Sequence, residues 1–176
     1  MPVKTLAGAL IALLAGLGVA QAQNEGEVIV EFSRTGPAPD RDVYYPGTET
    51  LAEDEMRVIA CGTGMPQPRL KQAAACFLVE LGNGDKFIFD MGYGSYDRLS
   101  ALGIPVDFLD KVFLGHLHLD HAGDFPMFYF TRGINSGRST IRLFGPNGVQ
   151  PEWGTTTWFE KIREAWAWEE ASRGAA

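Results

Sequence analysis

Apolar positions along the chain change their spacing several times, and each change marks an element. Residues 6–19 are an unbroken apolar stretch behind Lys4, and Ala20-Gln21-Ala22 follows as a small-x-small step. The stretch is shorter than the ~20 residues that cross a bilayer, so residues 1–22 are expected to be a secretory signal peptide cleaved after Ala22, leaving a secreted or periplasmic chain. Residues 28–32 have strand composition. Residues 33–55 are rich in Pro, Gly, Asp and Thr, and 23–55 reads as an irregular arm. From Met56 the pattern tightens. Strands are expected over 56–61, running into Gly62-Thr63-Gly64, over 73–81, and over 86–90, with Asn83-Gly84 turning the last two into a hairpin. These three form an antiparallel meander.

Beyond the meander, strands and helices alternate. A short helix over 95–102 is stopped by Gly103 and Pro105, a short buried strand is expected over 111–115, and the aromatic run 125–130 is helical. Ile141–Phe144 is a further strand. The tail carries Trp158, Ile162 and Trp166 at i, i+4, i+8, widened by Phe159 and Ala165, with Thr157 and Glu160 in capping-box spacing. The aromatic run reads first as core of an amphipathic helix. Strands followed by strands alternating with helices give an α/β (mixed α+β) class, a sheet with helices packed on it.

Charge narrows the partners. With 15 Lys and Arg against 22 Asp and Glu, the 176 residues carry a net charge of −7. An acidic chain repels phosphate backbones, so the expected partner is a small-molecule ester substrate and not nucleic acid. No membrane partner is expected after leader cleavage, and a homo-oligomer is left open. The two cysteines, Cys61 and Cys76, both fall in apolar strand-like segments. Export would permit a disulfide between them; two buried small hydrophobes is the blander alternative.

The chemistry concentrates in one place. All three histidines lie in His116-Leu117-His118-Leu119-Asp120-His121. At an extended strand end, alternation points His116 and His118 the same way, Asp120 continues the alternation, and His121 follows at a turn. Nitrogen and carboxylate donors in this arrangement suit Zn²⁺, with Fe or Mn as alternatives.

This HxHxDH segment resembles the metallo-β-lactamase fold superfamily, and the likeness runs from about Met56 to at least Phe144. It takes in Gly62-Thr63-Gly64 and the strand end Phe89-Asp90-Met91-Gly92. Within the superfamily these features look most like the ribonuclease Z and arylsulfatase-like branch, and they are also similar to exported hydrolases of the guanitoxin-biosynthesis type. The resemblance implies the N-terminal half of an αββα sandwich over 56–176. It implies that His116 and His118 hold a first zinc ion, and Asp120 and His121 a second. Asp120 is also the candidate catalytic carboxylate, Asp90 orients a ligand imidazole, and Gly62, Thr63 and Gly64 form a pocket loop. The implied activity is metal-dependent hydrolysis of a phospho-, sulfo- or carboxylic ester by metal-activated water. Ester hydrolysis fits the acidic, exported chain better than ribonuclease activity.

The superfamily completes its site with later histidines, and this sequence has none after His121. The alternative is therefore an inactive fragment or weak metal-binding remnant, whose sheet would expose an apolar face.

Overall fold

The computed structural model describes residues 51–132 and 140–173 in full, and the backbone alone of 21–22 and 27–30. The expected leader, apart from its last two residues, and the arm over 31–50 lie outside the described residues. The strands are β1 (Gln21–Ala22), β2 (Glu27–Val30), β3 (Met56–Gly62), β4 (Cys76–Leu81), β5 (Lys86–Phe89), β6 (Lys111–Phe113) and β7 (Ile141–Phe144). They form one mixed sheet in the order β1-β2-β7-β6-β5-β4-β3. The meander β3-β4-β5 is antiparallel as the sequence indicates, whereas β5, β6 and β7 run parallel to one another.

Parallel neighbours need crossovers, and the helices supply them. Between β5 and β6 runs α1 (Ser95–Ala101), and between β6 and β7 run α2 (Leu119–Ala122) and α3 (Phe125–Thr131). The tail folds as α4 (Thr155–Ala165) and α5 (Ala167–Arg173). One consequence decides where chemistry can sit. Strand β3 runs in the same direction as β5 and β6, so the segments that leave all three strands emerge at one edge of the sheet, where α/β folds place their ligands.

Alternation assigns the two faces. On one, Leu78, Ile88, Val112, Ile141 and Leu143 are fully buried, packed with Leu99 of α1, Phe125 and Phe128 of α3 and Phe159 of α4. Phe125 is the centre of an aromatic cluster, with ring centroids 5.8 Å from Trp158 and 6.0 Å from Phe159. On the other face, Phe77, Phe89, Phe113 and Phe144 stand directly opposite one another on four successive strands. Phe113 stacks on Phe89 at 5.1 Å and on Phe144 at 4.4 Å. No described helix covers this ladder. Phe77 and Phe89 are 40% and 42% exposed, and Met56 and Val58 beside them about 60%. The apolar face expected from the sequence is therefore present.

Three expectations change. The expected 73–81 strand begins only at Cys76, because the backbone of 73–75 is turned to other partners: Gly64 N–H donates to Ala73 O, and Ala74 N–H to Tyr93 O. The capping box does not form. Helix α4 starts three residues early with Gly154 as its cap, Thr157 donates to Pro151 O, and Glu160 is exposed. Phe159, not Trp166, is the buried anchor of that helix, since α4 ends at Ala165 and leaves Trp166 about half exposed. Lastly, Glu80 and Lys86, cross-strand partners, are a fully buried ion pair at 3.2 Å, with Arg57 3.6 Å from the carboxylate. Such a pair is costly to break from one side.

Truncating the aromatic centre tests this packing. Phe125→Ala should lower unfolding free energy by about 4 kcal/mol in urea melts, the range for emptying a fully buried aromatic site. Phe77→Ala, on the exposed face, should cost less than about 1.5 kcal/mol in the same assay.

Candidate metal centre

Strand β6 ends at Phe113, and the chain runs through Leu114 and Gly115 into the histidines. His116 and His118 do share one side, with His116 Nε2 3.1 Å from His118 Nδ1. Alternation stops there. His118 is the extended cap of α2, and Asp120 and His121 sit in a helical turn whose first bonds run from the amides of His121 and Ala122 to His118 O. Asp120 reaches the imidazoles because the turn folds it back, not because it continues the strand. Donor atoms of His116, His118 and Asp120 lie within 4.8 Å of one another. The His121 ring lies tilted against that of His116, with centroids 3.9 Å apart, and its Nε2 is 3.5 Å from Asp120 Oδ2.

Backbone bonds hold the turn in place. Ala75 N–H donates to Asp120 O at 3.0 Å, Met91 N–H to His121 O at 2.6 Å, and Tyr93 N–H to Leu119 O at 3.3 Å. Gly92 allows this approach: a Cβ there would stand 2.1 Å from Asp120 O. Asp124 adds a further tie, its carboxylate accepting from Tyr96 N–H at 2.8 Å, while burial pushes its pKa up.

Asp90 lies at the centre of the arrangement. One carboxylate oxygen accepts from Gly115 N–H and the other meets His121 Nδ1, both at 2.7 Å. With Asp90 ionised, the proton of His121 belongs on Nδ1, which leaves Nε2 free to bind a cation. Asp90 is also the one non-glycine residue with positive φ, 61°, among the described residues. Such conformations cost energy and cluster at functional sites.

The loop Gly62-Thr63-Gly64 packs on the segment 73–75, whose Ala75 amide holds the turn. A Cβ on Gly62 would stand 1.7 Å from Ala74 O, and one on Gly64 2.7 Å from Ala73 O. Thr63 is exposed and accepts from the Gln72 side chain at 3.0 Å. Sequence reasoning named these side chains but not the backbone donors of Ala75 and Met91, since amides carry no residue signature.

The donor set fits a divalent cation. Donors of a tetrahedral zinc site lie about 3.4 Å apart, which the spacing of the two imidazoles approaches without rearrangement. The cysteines are not part of it: both are buried, unbridged thiols away from the histidine turn.

A family model described as Anti-Pycsar protein Apyc1 matches residues 56–167, which span the sheet edge and every donor just described. The chain belongs to the Apyc1 family. It is 34% identical over 96 residues to ribonuclease Z of Mycobacterium sp. strain KMS, covering 53% of this chain and 33% of that protein. It is 36% identical over 97 residues to ribonuclease Z of Mycobacterium avium strain 104, covering 53% and 34%. Among solved structures, the metallo-β-lactamase fold protein YhfI of Bacillus subtilis superposes with a TM-score of 0.51 at 25% identity, over 56% of this chain and 41% of that one. Human tRNase Z, short form, does so with a TM-score of 0.51 at 24% identity, over 61% and 39%. The Apyc1-family chain thus has the metallo-β-lactamase fold over its matched part, and spans about a third of the length of the ribonuclease Z relatives.

These likenesses overturn the expectation of a small-molecule ester partner and no nucleic acid, because ribonuclease Z and tRNase Z act on RNA by name. The physical reason is that net charge is a global average. Arg69, Lys71 and Arg98, with Asp97 beside them, line two pockets next to β3 and α1, so cations cluster locally on a chain whose total charge is negative.

Asp90→Asn keeps a side chain that tolerates positive φ but removes the charge facing His121. It should leave far-UV circular dichroism unchanged and weaken zinc binding about 10- to 100-fold in a chelator competition titration, the range for loss of such a supporting carboxylate.

Proposed function

We propose that this chain carries the cation-binding half of a hydrolase that cleaves ribonucleotide phosphodiester bonds, RNA among its substrates. The convergence of His116, His118, Asp120 and His121 on one small volume carries the reading. The ribonuclease Z relatives support it.

In this reading His116 and His118 hold one ion and Asp120 and His121 a second, with zinc the first choice and iron or manganese the alternatives. Bound there, divalent ions supply Lewis acidity at the phosphoryl oxygens and activate water near neutral pH. The protein's own contribution is placement. Asp90 accepts a hydrogen bond from His121 Nδ1–H and so keeps that ring's orientation and tautomer. Asp120, 8% exposed and anchored through its carbonyl to Ala75, holds its carboxylate between the imidazoles as the candidate catalytic carboxylate. Arg69, Lys71 and Arg98 draw the phosphate backbone toward the edge of the sheet.

A second reading is favoured by the donor count. Three histidines serve the whole sequence, so two ions receive two protein donors each, half of a four-coordinate zinc shell. The chain would then bind zinc weakly and hydrolyse nothing.

One experiment separates the readings. Zinc-loaded protein is incubated with a 3′-labelled single-stranded oligoribonucleotide, and bound metal is measured in parallel. Chelator-sensitive cleavage that falls at least 100-fold in His118→Ala and in Asp120→Asn is expected from the hydrolase reading. Bound zinc without cleavage leaves the second reading, and neither zinc nor cleavage overturns both.

A further inference from the structure

Strands β3 and β4 pair regularly from Met56↔Leu81 to Ala60↔Phe77, then slip: Gly62, not Cys61, stands opposite Cys76. Cys61 is thus the extra residue of a bulge, and such a residue keeps no ladder partner of its own. Alternation from Ile59 and Leu78 sends the side chains of Cys61 and Cys76 to the same, helix-covered face. Both thiols are free, and Cys61 Sγ donates to Ile59 O at 3.7 Å. Neither takes part in the metal centre.

Their surroundings are unequal. Cys76 is sealed, with no exposed surface. Cys61 is 6% exposed and lines an open pocket of about 340 Å³ at the β3 edge, together with Thr63, Lys71, Gln72 and Arg98. A thiol at the floor of a cation-lined pocket is the setting that favours thiolate and reaction, whereas a sealed apolar thiol is inert until a partner sulfur reaches it. The neighbouring Cys76 thiol lowers the pKa of Cys61, and the Cys61 sulfur together with burial pushes that of Cys76 up.

We propose that Cys61 and Cys76 form a two-cysteine oxidation site, in which Cys61 meets a hydroperoxide through the β3-edge pocket and Cys76 resolves it to an intramolecular disulfide. In the first step the Cys61 sulfur attacks hydrogen peroxide. The S–O bond forms as the O–O bond breaks, sulfur gives up two electrons, and the departing hydroxide takes a proton to leave as water. In the second step the Cys76 sulfur attacks the Cys61 sulfenic acid. The S–S bond forms, the S–O bond breaks, and the oxygen leaves as water with the proton of the Cys76 thiol. A dithiol reductant returns the pair to thiols. The disulfide would pin the bulge at the point where the chain passes through Ala75 into its bond with Asp120.

Reduced full-length chain is treated with hydrogen peroxide, alkylated under denaturing conditions and mapped by mass spectrometry without reduction. The expected result is loss of both alkylatable thiols, one linked peptide pair containing Cys61 and Cys76 within a monomer, and full recovery after dithiothreitol. In Cys76→Ala, dimedone should trap a sulfenic acid at Cys61; in Cys61→Ala, Cys76 should stay alkylatable over the same interval. Two thiols still alkylatable in the wild-type chain after peroxide, or a disulfide only between chains, would overturn the proposal. Oxidation of Cys76 in Cys61→Ala at the wild-type rate would overturn the assigned order.

Discussion

The carboxylate of Asp90 is the constraint on which the site depends. It stands just past the end of β5, takes the amide of Gly115 just past β6, and takes His121 from α2, so one side chain joins three elements at the sheet edge. Its backbone amide adds a third tie, to Phe113 O at 2.8 Å. A residue with φ of 61° gives up conformational energy to sit there. Two charge-assisted hydrogen bonds, each worth more than a neutral one, offset that cost and fix the tautomer of His121 in the same stroke. Remove the carboxylate and the histidine turn keeps its backbone anchors but loses the group that aims one of its donors.

The sheet prepares this edge. Parallel pairing of β5 with β6 brings their C-terminal ends side by side, which is what allows a residue after one strand to reach residues after the other. The reversal at β4 brings the end of β3 and the start of β4 to the same edge, so Ala75 can hold Asp120 by its carbonyl. Helices cover only one face. The opposite face presents the Phe77-Phe89-Phe113-Phe144 ladder, a row made by the register of four strands and not by any local cluster in the sequence.

The sequence made much of this legible, for identifiable reasons. Period-2 alternation over 56–61 and 86–90, broken by Asn83-Gly84, announced the meander, and Gly84 does take the positive φ, 93°, that the turn needs. Gly103, also at positive φ, ends α1 where expected. HxHxDH announced a cation site because its donors are rare side chains at close spacing. What escaped was decided by tertiary contact. Nothing local says that His118 starts a helical turn, so Asp120 was assigned to a strand alternation it does not follow. Glu80 and Lys86 carry no signal of burial in the sequence, yet they face each other across β4 and β5 and bury as a pair. Thr157 and Glu160 matched a capping signature, but Gly154 and the bond of Thr155 N–H to Pro146 O set the helix start earlier. The expectation of no nucleic acid rested on summed charge, which hides where the cations lie.

The central claim is that two imidazoles and neighbouring oxygen donors of the histidine turn grip a divalent cation. Zinc K-edge X-ray absorption of the zinc-loaded protein tests it most directly. The account predicts a shell of nitrogen and oxygen scatterers at about 2.0–2.1 Å with the outer-shell signature of imidazole. A sulfur shell at about 2.3 Å, which would move the ion to the cysteines, or a shell of oxygen alone without imidazole scattering, would contradict it.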